Sequence, residues 1–209
     1  VSPLAVANAT AAMVNGGILH RPTLLAREPD AAPRGTRVIR PETSDTLRRL
    51  MRLAVTEGTG KGADVPGYFV GGKTGTAQKV GPRGGYLMNA RISSFTGIFP
   101  SHDPRYVVYV MVDEPKGRRD TAGYATGGWV AAPAAQEVVG QIGPLLGLSP
   151  VTESEATRQA LSMPLQPTRP ARAAAAARTP ASASAQAHGG PPTRAPGAAA
   201  AADRRVTTH

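Results

Sequence analysis

The chain contains no cysteine, so disulfides and cysteine-ligated metals are excluded and the compartment is left open. Aromatics are scarce, at 4% of 209 residues, and no basic stripe is interleaved with them. The formal charge of +10 therefore does not mark a nucleic-acid site, and no nucleic-acid partner is expected. The positive excess is spread over both residues 1–148 and 149–209. Such a field suits an anionic polymer or a membrane surface. Long apolar runs are missing too: the longest of note is Val107 to Val112, far below the roughly 20 residues of a spanning helix. His20, His102, His188 and His209 fall in predicted loops or in the tail, with no ligand cluster at metal-site spacing. No metal and no cofactor is expected. The sequence opens at Val1 without an initiator methionine, already inside a helical pattern, and is expected to be a piece of a longer protein.

Helical and strand patterns follow one another up to residue 148. Ser2 with Pro3 predicts a capped helix, with Leu4, Ala7, Ala11 and Val14 on one face and Asn15-Gly16-Gly17 as its stop. Residues 18–25 form a short connection and 26–37 a polar loop. Pro41 opens a second helix whose apolar face is Leu47, Leu50, Met51, Ala54 and Val55. Gly58 to Gly62 should end it in a mobile loop. A strand is expected from about Tyr68 to Lys79, then a Gly/Pro turn at 81–85, a second strand from Arg91 to Phe99, and a third from Tyr106 to Val112 that reads as buried on both faces. Short turns between them favour an antiparallel sheet. A last helix, from about Trp129 to Leu146, should pack Val130, Ala134, Val138 and Ile142 on that sheet. From residue 149 the chain is rich in Ala and Pro and poor in large apolar side chains, which predicts a disordered tail. Ala173 to Ala177 are too few to hold a helix there. The fold class is therefore α+β, an antiparallel sheet with packed helices.

Chemistry concentrates in Lys73-Thr74-Gly75-Thr76. A cation, two hydroxyls and a glycine at the end of a strand offer a carboxylate charge, donors and an approachable backbone. Gly67, Gly72, Lys73 and Thr74 also fit the spacing of a phosphate loop, G-x-x-x-x-G-K-[ST]. That motif needs a buried strand before it and a helix after it, and the flanking residues predict neither. Nucleotide binding is thus a minor alternative.

Gly71 to Lys79, reading Gly-Gly-Lys-Thr-Gly-Thr-Ala-Gln-Lys, resembles the third motif of class B penicillin-binding proteins, especially the division-specific peptidoglycan D,D-transpeptidases. Val1 to Ala7 followed by Asn15-Gly16-Gly17, Ser93 to Pro100, and Gly127 to Pro133 resemble the family's flanking blocks in the family's own order. The resemblance covers about residues 1–148 and implies part of a penicillin-binding-protein/β-lactamase-like domain. It implies a serine enzyme that attacks D-Ala-D-Ala through an acyl-enzyme. Lys73 would supply positive potential to the substrate's terminal carboxylate or to the proton network, Thr74 and Thr76 would bind that carboxylate, Gly75 would let the substrate approach, and the Thr76 N–H would be one oxyanion-hole donor. The partners implied are the peptidoglycan stem peptide, β-lactams and division-complex proteins. The location implied is the periplasmic side of the bacterial inner membrane, through an N-terminal anchor outside this chain.

One departure from the family is complete. No serine of the chain (2, 44, 93, 94, 101, 149, 154, 162, 182 or 184) has lysine three residues later or asparagine two residues later. The nucleophile, its lysine and the S-x-N motif are absent, so the chain alone is expected to be inactive. The alternative of another class is a non-catalytic fragment that binds a division protein. Trp129 is expected to be a packing residue, His102 beside Asp103 a solvated turn, and Asp113 to Asp120 a solvated loop flanking the cleft.

Overall fold

The first helix, α1 (Pro3–Val14), starts where the capping residues place it. The Ser2 hydroxyl accepts a hydrogen bond from the Ala5 N–H at 3.2 Å, with Pro3 in the first turn, so one otherwise unpaired N–H of the helix end is satisfied. The computed structural model describes residues 1–26, 28 and 34–163, all within the unit Val1–Leu165; the unit Gln166–His209 lies outside the described residues. The inner face of α1 differs from the predicted one. Thr10, Ala12 and Val14 are buried, whereas Leu4 is exposed, because only the C-terminal half of the helix meets other elements. There the Gly16 N–H donates to the buried Ser44 hydroxyl at 3.0 Å. Strands β1 (Ile18–Leu19) and β2 (Thr36–Arg37) form a small antiparallel ladder.

Helix α2 (Pro41–Thr56) buries Ser44, Met51 and Val55. Its Arg52 ties two later segments together: one guanidinium nitrogen, Nη1, donates to Asp64 Oδ1 at 2.6 Å and to the Val70 carbonyl at 2.8 Å. The predicted mobile loop after α2 is instead bonded. The Gly60 N–H donates to Ala54 O at 2.9 Å, and Lys61–Ala63 forms a 3₁₀ turn. Tyr68, Phe69 and Val70 are not part of the strand despite their propensity. All three are buried, and Phe69 takes a left-handed φ of 47°. Burial in the core, where Tyr68 packs on Gly143 of a later helix and Arg52 holds the Val70 carbonyl, overrides local preference here.

Three antiparallel strands follow, β3 (Gly71–Val80), β4 (Tyr86–Phe99) and β5 (Tyr106–Asp113), in the order β3-β4-β5. The glycine-rich turn between β3 and β4 closes with the Gly81 N–H donating to Gly85 O at 2.9 Å. β5 is half-buried along most of its length rather than buried on both faces, and Met111 is exposed. The reason is its position: among the described residues it is an outer strand with β4 as its partner.

Helix α3 (Ala131–Leu145) covers one face of the sheet with a stripe of Ala131, Ala132, Ala135, Val139 and Gly143. The predicted stripe was set one position off: Val138 is exposed and Val139 is buried. Small residues face inward because the contact is close. A Cβ on Gly143 would come within 2.4 Å of the Tyr68 ring. The main core lies between α3 and the sheet, around Val55, Tyr68, Val70, Phe95 and Phe99. A smaller cluster of Val14, Met51 and Ile98 holds α1 and α2 to the other face.

Residues 149–163, predicted to begin the tail, return to the body. The Val151 N–H donates to Gly67 O at 3.0 Å, and helix α4 (Glu155–Leu161), capped by Ser154, buries Leu161. The remaining tail, Ala173 to Ala177 included, lies outside the described residues. No helix among those described is long and apolar enough to cross a membrane.

Arg52→Ala should cost about 1–3 kcal/mol, because it leaves the buried Val70 carbonyl without its donor, while the half-exposed Asp64 carboxylate can turn to water. Urea unfolding followed by circular dichroism measures this, and Arg52→Lys should recover only part of the loss.

Candidate active site

Among the described residues β3 is an edge strand, and its side chains alternate between the two faces of the sheet. Lys73 joins Thr10, Met13 and Leu50 in lining an apolar hollow of about 240 Å³ on the α1/α2 side. Thr74 and Thr76 point the other way. They line a cleft of about 680 Å³ with Thr59, Lys61, Thr126 and Trp129, at the start of α3. The cation and the hydroxyls of one four-residue motif thus serve opposite faces. Lys73 Nζ donates to the Thr74 carbonyl at 2.8 Å, so its ammonium stays close to the strand.

The motif's hydroxyls on the α3 side both have partners. Thr74 Oγ1 lies 2.7 Å from Thr59 Oγ1. Thr76 Oγ1 accepts from the Gly127 N–H at 3.1 Å, and the buried Ser93 hydroxyl donates to Ala125 O. The Gly127-Gly128 pair, expected only as the start of a helix, is what fastens the loop before α3 to the strands. A Cβ on Gly127 would sit 2.5 Å from both Gly75 O and Ser94 O. Gly75 itself has an internal reason to lack a side chain: a Cβ there would come within 2.6 Å of Ser94 Oγ. Trp129, expected to be a packing residue, is 49% exposed. It stacks on Tyr124 with ring centroids 5.7 Å apart and forms part of the cleft wall.

At the far end of β3, Lys79 Nζ donates to Glu114 Oε1 at 2.8 Å and to Asp113 Oδ2 at 3.1 Å. These two carboxylates, Glu114 foremost, hold the Lys79 pKa above the usual lysine value. The partners favour the cation, so this stabilisation is present at neutral pH and is lost as pH rises through the raised pKa. His102 packs edge-on against Phe69 at 5.2 Å, and Asp103 pairs with Arg105 at 3.8 Å. The phosphate-loop alternative fails: Gly71 to Val80 is a strand that runs into another strand, with no helix after Thr74.

Residues 1–140 match the family model described as the penicillin binding protein transpeptidase domain. The chain belongs to that family. It is 44% identical over 161 residues to the probable peptidoglycan D,D-transpeptidase FtsI of Caulobacter vibrioides, covering 73% of this chain and 27% of the relative. It is 42% identical over 160 residues to the stage V sporulation protein D of Bacillus subtilis, covering 72% and 24%. The chain therefore spans about a quarter of the length of these relatives. Among solved structures, the transpeptidase domain of Burkholderia pseudomallei penicillin-binding protein 3 superposes with a TM-score of 0.64 at 37% identity, covering 73% of this chain and 45% of that one. Penicillin-binding protein 3 of Mycobacterium tuberculosis in complex with ampicillin superposes at 0.62 and 30% identity, covering 74% and 37%. This family member thus holds part of a class B transpeptidase domain, and its α+β architecture is the family's.

Gly127→Ala should destabilise the chain by about 1–3 kcal/mol, since the added methyl meets two backbone carbonyls that no rotamer change can move. Gly140→Ala, at a helical site with open space around it, should instead stabilise by about 1 kcal/mol. Denaturation midpoints of the two variants, measured side by side, test the assignment of the crowded glycine.

Proposed function

We propose that residues 1–148 form the third-motif wall of the acyl-transfer cleft in a peptidoglycan D,D-transpeptidase acting in cell-wall cross-linking at division, on the periplasmic side of the membrane. The observation that carries this reading is the placement of Lys73-Thr74-Gly75-Thr76 on an edge strand, with the Thr74 and Thr76 side chains lining an open cleft. In this reading a serine outside these 209 residues attacks the penultimate D-Ala carbonyl of a D-Ala-D-Ala stem peptide. The C–N bond breaks, the terminal D-Ala leaves, and an amine of a second strand takes the acyl group. The Thr76 N–H stabilises the oxyanion, Thr74 and Thr76 hold the terminal carboxylate, and Lys73 acts electrostatically on the opposite face, towards the serine. β-Lactams would be taken as stem-peptide mimics. The absence of any S-x-x-K or S-x-N in the chain supports an inactive state for the chain by itself.

Fluorescent penicillin tests this reading. The chain alone should take no covalent label, and the complete protein with its upstream residues should take it. Label on the isolated chain would refute the missing nucleophile. In the complete protein, Thr76→Pro should slow acylation by about 10²–10³-fold relative to Thr76→Val, because both lose the bond to Gly127 but only proline loses the N–H. Equal rates in the two variants would remove Thr76 from the oxyanion hole.

A further inference from the structure

The cleft on the α3 side of β3 is lined by the two threonines of the motif, and Lys73 is not among the residues that line it. Hydroxyls alone compensate poorly for the desolvation of a carboxylate, and a cation beside them changes that balance. The cleft has one: Lys61, on the 3₁₀ turn after α2, is the one cation lining it among the described residues. It forms no ion pair among those residues. The turn that carries it is fixed at both ends. The Gly60 N–H bonds to Ala54 O at 2.9 Å and the Asp64 N–H to Lys61 O at 3.2 Å. The Thr59 carbonyl rests on Gly128, where a Cβ would approach it to 2.6 Å. Thr59 also reaches the motif directly, with its Oγ1 2.7 Å from Thr74 Oγ1. In such a pair one hydroxyl donates to the other. When Thr59 donates, the Thr74 proton is free to point at an anion in the cleft.

We infer that Lys61 and Thr59 complete a carboxylate subsite with Thr74 and Thr76 on the α3 face: Lys61 supplies the charge and Thr59 is a positioning residue that orients the Thr74 hydroxyl. The inference rests on the transpeptidase reading and assigns the substrate's terminal carboxylate to this face of β3. Lys73 is thereby left to act on the opposite face.

The test compares acylation of the complete protein by a penicillin and by the methyl ester of the same penicillin, across a range of salt concentrations. Lys61→Met should lower the preference for the free carboxylate by about tenfold and flatten its salt dependence, with Lys61→Arg retaining both. Thr59→Val should lower the preference several-fold and Thr59→Ser restore it, an outcome that a purely structural role of Thr59 would not give. A carboxylate preference and salt dependence that survive Lys61→Met unchanged would overturn the subsite. Failure of the unsubstituted complete protein to acylate with either compound would instead overturn the transpeptidase reading itself, and the subsite's ligand with it.

Discussion

At Gly127 the backbone rests directly on two strands, close enough that a single methyl group would meet the carbonyls of Gly75 and Ser94 at 2.5 Å. This is contact between main chains, so no side-chain rearrangement can relieve or replace it. Three features follow. The Gly127 N–H reaches Thr76 Oγ1 and fixes its direction. The chain before it comes within reach of the Ser93 hydroxyl. Helix α3 then begins at a set height above the sheet, and its Ala/Gly stripe allows the close approach that buries Phe95 and Phe99. Arg52 performs the matching task at the entry to β3 by holding the Val70 carbonyl, one residue before the strand starts.

With its strand fixed at both ends, the motif's chemistry is governed by alternation. Successive side chains of β3 leave the strand on opposite faces, so Lys73 departs from the face opposite Thr74 and Thr76, while its Nζ stays beside the strand on the Thr74 carbonyl. The α3 face has paired hydroxyls and a wide opening. The α1/α2 face has the lysine, an apolar hollow and the Thr96 hydroxyl, which is buried without a hydrogen-bond partner among the described residues. One strand thereby presents two different environments, polar and partnered on one side, apolar and open on the other.

Local signals in the sequence were good guides where one short-range rule decides the outcome. Ser2-Pro3 set the start of α1, Pro41 the start of α2, and the glycines at 81–85 a hairpin turn. The antiparallel order of the three strands followed from their short connections. Features decided by distant partners were not legible. Tyr68 to Val70 carry strand propensity, but their burial in the core beneath α3 and beside Arg52 outweighs it. Val138 and Val139 are interchangeable by composition, and the rotation of α3 that sets Gly143 on Tyr68 selects Val139. The chain after residue 149 lacks the apolar content of a core, yet Leu161 and one backbone bond to Gly67 suffice to return a segment of it. At the site, Lys73-Thr74-Gly75-Thr76 was visible because the whole motif lies within four residues. Thr59, Lys61 and Gly127 were not, since each acts across a fold that brings residues 59, 74 and 127 together. The Gly127-Gly128 pair was the one usable signal, because adjacent glycines before a helix often mark close backbone approach as well as a helix start.

The two faces of β3 also differ in how complete they are, and this bears on how the site divides its labour. On the α3 side the hydroxyls of Thr74, Thr76 and Ser93 are all partnered within the chain. On the other side Met13 and Leu50 are exposed, and a buried hydroxyl without a partner carries a cost of about 1–3 kcal/mol. A chain spanning about a quarter of its relatives' length therefore has one finished face and one unfinished face, and the motif lies on the boundary. In the transpeptidase reading, binding the carboxylate needs only groups on the finished face, whereas forming the acyl bond needs a serine approaching from the side of Lys73. In that reading the separation on the strand matches the separation in the chemistry: the carboxylate would be recognised by these residues, and the reactive half would depend on what is set against the lysine.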